Sequence, residues 1–186
     1  MGWTSYLVPG KIDRKSECDK LFNGEKHLKI LKSATVGSTY FAAIQLVQKY
    51  DNSLGDFVDV PEENRRVKAF IVLTSINTDH SGTWFSYKDM TEDFGSYDYR
   101  CPESILKLLS PTDNNYANEW REGCRRYQQK KNELRKAAYG TKIEVSIRGD
   151  LIIFAKKKNG KRTMWVNDDW NYLPESRIPD YEFQFV

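Results

Sequence analysis

The chain has 186 residues, with five Trp, eleven Tyr and nine Phe and 39% hydrophobic residues. This excludes a disordered chain, which lacks large side chains to bury, and the length suits one ordinary core or a domain with a small appended module. The net charge of +3 conceals an asymmetry: residues 121–165 hold fourteen Lys and Arg against four Asp and Glu, a balance of +10, whereas residues 61–120 hold six against ten.

The first ten residues show no basic stretch followed by an apolar run, so no secretory signal is expected. The longest apolar runs, such as 151–155, fall far short of the roughly 20 residues a membrane span needs. Cys18, Cys101 and Cys124 are odd in number and widely spaced, which argues against a disulfide framework and fits a reducing, cytoplasmic setting. The sequence leaves the oligomeric state open.

In chain order, Asp13 is placed to cap a short helix over 14–22, with Cys18, Leu21 and Phe22 on its buried side. Residues 27–36 and 39–50 read as a hairpin turning at Gly37-Ser38, with a helix as the alternative over 42–50. Residues 51–64 are polar and read as a loop. The β-prone run 67–76 predicts a central strand, with a second pairing through 84–87. Pro102 opens a short helix reaching Leu109. The clearest helix runs over 116–138: Trp120, Cys124, Tyr127, Leu134 and Ala138 form one apolar stripe, beside a basic face. Gly140 ends it. Strand-like runs follow at 141–147, 151–157 and 161–166, with 181–186 closing the set. The pattern predicts an α+β fold: an antiparallel sheet with a long basic amphipathic helix over residues 1–138, then a small antiparallel β module over 139–186.

No motif declares an enzyme. The cysteines with His27 and His80 lack zinc-site spacing, so neither a metal nor a cofactor is expected. Gly37-Ser38-Thr39 lacks the spacing and lysine of a phosphate loop. Asp79-His80 near Ser81 is adjacency, not a triad. Asp79, His80, Tyr87 and Asp89 form the polar set an enzyme alternative would use, for example in processing nucleic acid or modifying nucleotides.

The basic constellation carries more information. An Asn159-Gly160 turn would set Lys158 opposite Lys161 and Lys157 opposite Arg162, and opposed like charges are destabilising unless an anion meets them. Edge protection by lysine is the competing reading. With Arg121, Arg125, Lys130 and Lys136 on the helix and Lys156, Lys157, Lys158, Lys161 and Arg162 on the hairpin, the expected role is phosphate contact. Trp165 and Trp170 stand nearby, with base stacking and core burial as alternative roles. Asp89, Glu92, Asp93 and Asp98, among Tyr and Phe, read as a surface for a basic protein groove or as an ordinary loop.

The opening Met1-Gly2-Trp3-Thr4-Ser5-Tyr6 resembles the start of a family of small proteins carried by phages and integrative elements of gut Firmicutes. Lys11-Ile12-Asp13-Arg14-Lys15, Glu17-Cys18-Asp19, Val36-Gly37-Ser38-Thr39-Tyr40, Ser86-Tyr87-Lys88-Asp89-Met90, Cys101-Pro102, Pro111-Thr112 and Asn118-Glu119-Trp120-Arg121 extend the resemblance. It covers about residues 1–125, so the C-terminal module lies outside it. Family members carry His after the opening Tyr, where this chain has Leu7. Some similar proteins inhibit type II CRISPR nucleases. The resemblance therefore implies a non-enzymatic anti-CRISPR protein that binds a host Cas9-type nuclease nucleoprotein or its nucleic acid. A plain interaction protein of a mobile element is the third reading.

Overall fold

The computed structural model describes residues 2–186; Met1, the first residue of the N-terminal motif, lies outside them. The fold is α+β, with antiparallel sheets and one long helix. The chain forms two compact units, residues 1–124 and 125–186, and the division falls inside the long helix.

The first unit contains β1 (Thr4–Val8), α1 (Arg14–Asn23), β2 (Leu28–Val36), β3 (Thr39–Leu46), a small hairpin of β4 (Gln48–Asp51) and β5 (Asp56–Asp59), β6 (Val67–Asp79), β7 (Gly82–Thr91) and α2 (Glu103–Leu106). The first half of α3 (Asn115–Lys136) also belongs to it. Asp13 caps α1 as expected, its carboxylate accepting from the Ser16 N–H at 2.7 Å. The main sheet runs β1-β7-β6-β3-β2, so the strand beginning at Val67 is central.

Both faces of this sheet are covered. On one, Cys18 and Phe22 of α1 join Tyr40, Ala42, Ile44, Val72 and Phe85. On the other, Ile105, Trp120 and Cys124 join Phe41, Ala43, Ala69 and Ile71. Burial on both faces explains why residues 40–44 of β3 are an unbroken apolar run without the alternation of a half-exposed strand. It also removes the helical alternative for 42–50. Residues 51–64 are not simply a loop, because Asp56–Asp59 pairs with Gln48–Asp51. The N-terminal strand went unforeseen; it pairs with β7 at the sheet edge.

The second unit contains the rest of α3, β8 (Lys142–Ile147), β9 (Asp150–Asn159), β10 (Arg162–Val166), β11 (Tyr172–Leu173) and β12 (Phe183–Phe185). Its ladder, β11-β10-β9-β8-β12, is an open five-stranded sheet. The inner face packs Ile143, Val145, Phe154, Trp165 and Leu173 against Leu134 and Ile178. Leu134 therefore explains why the division falls within the helix and not after residue 138: the C-terminal turns of α3 belong to this core. Tyr127, expected in the buried stripe, is only half-buried.

Candidate nucleic-acid interface

The structure sorts the nine predicted phosphate-binding residues into groups. Arg121 is withdrawn from solvent at 6% exposure. Its guanidinium makes a bidentate pair with Glu92, Nε to Oε2 at 2.6 Å and Nη2 to Oε1 at 2.7 Å, and Nη1 donates to the Ser110 carbonyl. Glu92 is fully buried and also accepts from the Ala69 N–H. Arg121 is thus a core ion pair and not a phosphate ligand, and Glu92 is not part of a partner surface. Burial of both charges is tolerated because each is hydrogen-bonded by its opposite.

Lys156 is the second correction, at 4% exposure. It points inward because it shares the face of Phe154, two residues earlier on β9. Its ammonium donates to the carbonyls of Leu134 and Arg135 and lies 3.3 Å from Glu175. A cation on the last carbonyls of a helix satisfies acceptors that have no intrahelical donor and complements the helix dipole. Lys156 therefore fastens the last turn of α3 to the sheet.

The remaining cations stay accessible. Lys157, Lys158, Lys161 and Arg162 are exposed at the end of the β9–β10 hairpin, and Arg125 and Lys136 are exposed on α3. Lys130 is half-buried, its ammonium 5.6 Å from the Phe183 ring centre. The hairpin register differs from the expected one by a residue. Asn159 faces Arg162, Lys158 faces Thr163 and Lys157 faces Met164, so the turn is Gly160-Lys161. Gly160 adopts φ 58°, and a two-residue hairpin turn favours glycine at its first central position. The lysines consequently do not oppose one another across the strands. None of the four hairpin cations lies within ion-pair distance of a carboxylate among the described residues.

The two tryptophans take opposite roles. Trp165 is buried and donates its indole N–H to Glu175 at 3.1 Å. Trp170 is 79% exposed, with the Lys157 ammonium 4.9 Å from its ring centre. Its φ of 61° is uncommon for a bulky residue. Tyr172, which sequence reasoning missed, is 65% exposed and pairs with Val166. The signal available was alternation: Leu173 faces the core, so its neighbour faces out.

The acidic stretch loses most of its free charge. Asp93 is paired with Lys68, and Asp98 accepts from both Arg100 and Thr39. Burial works against the Asp98 carboxylate, but the bonds from Arg100 and Thr39 outweigh it and hold its pKa below the ordinary value. Only Asp89 of the four remains exposed and outside any ion pair among the described residues. What the stretch presents instead is aromatic, with Phe94 and Tyr97 exposed.

The polar set of the enzyme alternative does not assemble. Asp79 and His80 lie at the β6–β7 turn, where Asp79 accepts from the Ser81 N–H. Asp89 lies seven residues up β7 from Gly82, roughly 20 Å at the rise of a strand. The structure does join Tyr6, Glu17 and Lys20 beside a cleft of about 380 Å³, with Glu17 accepting from both neighbours. Burial, with the bond to Glu17, pushes the Tyr6 hydroxyl up to about 12, which makes it a poor base near neutral pH. Burial also pushes the Cys18 thiol up to about 12, the reverse of a reactive cysteine.

Among the described residues no group of three or more His, Cys, Asp or Glu could hold a metal ion, and no helix is long and apolar enough to cross a membrane. The chain matches no protein-family model, no curated protein and no solved structure at a significant level.

Proposed function

We propose that this chain is a non-enzymatic binding protein that grips phosphates through the β9–β10 hairpin, and that its target is the nucleic acid of a Cas9-type nuclease nucleoprotein, whose action it blocks. The observation that carries the reading is the hairpin itself. Lys157, Lys158, Lys161 and Arg162 crowd four cations into six residues at a solvent-facing tip, with no carboxylate in range among the described residues. Concentrated unpaired charge of one sign raises the local concentration of a polyanion and speeds encounter. The target class follows from the N-terminal resemblance, which lies in the other unit.

Phosphate contacts give affinity with little base preference, and they weaken as salt rises. The double reversal Lys158→Glu/Lys161→Glu tests them and leaves the Lys157–Trp170 pair in place. Fluorescence anisotropy with a labelled oligonucleotide at two salt concentrations is expected to show weaker binding. The logarithmic salt slope should flatten by roughly 0.7–0.9 for each phosphate the variant no longer neutralises. Equal binding by wild type and variant, or no binding by either at low salt, would reduce the hairpin to a solvated surface.

A further inference from the structure

The outer face of the C-terminal sheet carries more than charge. Neighbouring strands there align Lys142, Ala155, Val166 and Tyr172 in one row. The adjacent row pairs Lys157 with Met164, and Lys157 reaches the Trp170 ring. The lysines of this face thus come from β8 and β9 and the rings from β11 and the loop before it; Ala155 and the buried Val166 stand between Lys142 and Tyr172, and the two sets meet where Lys157 reaches Trp170.

We propose that this face is a stacking platform for single-stranded nucleic acid, with bases on Trp170 and Tyr172 and phosphates along Lys142, Lys157 and the hairpin tip. The proposal rests on the phosphate-binding reading above and adds the strandedness of the ligand. Two exposed rings with Lys142 and Lys157 on neighbouring rows of the same face match what an unpaired strand displays: flat bases and a line of phosphates. A duplex hides its base faces and could use only the cations. The positive φ of Trp170 points the same way. A tryptophan held in left-handed backbone costs the fold free energy that burial does not recover, because the ring stays in water. Asp168 and Asp169 precede Trp170 and are exposed, so they repel phosphate from the aromatic side and leave the lysine side as its path.

The experiment compares three probes by anisotropy: a 20-residue oligothymidylate, the same strand without bases and a 20-base-pair duplex. Trp170→Gly/Tyr172→Ala is the test variant, because glycine suits the left-handed position and both side chains are exposed; circular dichroism checks its fold. Wild type should bind the oligothymidylate more tightly than the abasic strand or the duplex. The variant should lose roughly five- to 150-fold for each ring on the oligothymidylate, the range found for loss of one stacked base, and little on the abasic strand. Equal binding of all three nucleic acids, unchanged in the variant but abolished in Lys158→Glu/Lys161→Glu, would overturn the platform and leave the phosphate reading standing. No binding to any probe would overturn both. Without nucleic acid, a wild-type dimer in sedimentation that the ring variant dissociates would overturn the platform by showing a second copy on this face.

Discussion

Replacing Glu92 with alanine is expected to destabilise the protein by about 3–5 kcal/mol, the cost of leaving one member of a buried ion pair without its partner. Arg121 would keep the Ser110 carbonyl but be deprived of both carboxylate oxygens, and the Ala69 N–H would be left without its acceptor. The guanidinium cannot shed its charge to escape, since it stays protonated at any ordinary pH. Urea denaturation followed by tryptophan fluorescence measures the change. The apolar double replacement Glu92→Leu/Arg121→Met separates pairing from packing, because removing both charges together can be neutral or stabilising. A change below about 1 kcal/mol for Glu92→Ala, the range of exposed ion pairs, would mean that water reaches the pair.

Trp120→Ala is expected to cost about 3–5 kcal/mol as well, through a different route. The indole is almost wholly buried among Phe41, Ile71, Ile105 and Cys124, and its N–H donates to the Asp98 carbonyl at 3.0 Å. Alanine removes the apolar area, leaves a cavity and strips that carbonyl of a donor. Trp120→Phe keeps most of the packing and isolates the hydrogen bond, at about 1–3 kcal/mol for an unsatisfied buried acceptor. The same denaturation curves check both. If the two variants are destabilised equally, packing contributes little and the assignment of Trp120 to the core of the first unit fails.

The sequence showed periodicity well and partnership badly. The long helix was legible because Trp120, Cys124 and Leu134 share a face, and the Gly37-Ser38 turn because its flanking runs are β-prone. Strand β3 was ambiguous because a strand covered on both faces has no alternation to read. The basic surface was legible as a region and not residue by residue. Arg121 and Lys156 looked like their basic neighbours, and only tertiary structure reveals that Glu92, 29 positions away, and the carbonyls of α3 claim them. In the hairpin, a one-residue difference between an Asn159-Gly160 and a Gly160-Lys161 turn changes every cross-strand partner. Trp170 was singled out without its exposure, and Tyr172 was not singled out.

The most direct test uses a purified Cas9-type nuclease loaded with its guide. The wild-type protein should co-elute with this complex on size exclusion and block cleavage of target DNA. The Lys158→Glu/Lys161→Glu variant, folded by circular dichroism, should be deficient in both properties in parallel. A wild-type protein that neither co-elutes nor slows cleavage, or a reversal variant that inhibits as well as wild type, would contradict the account.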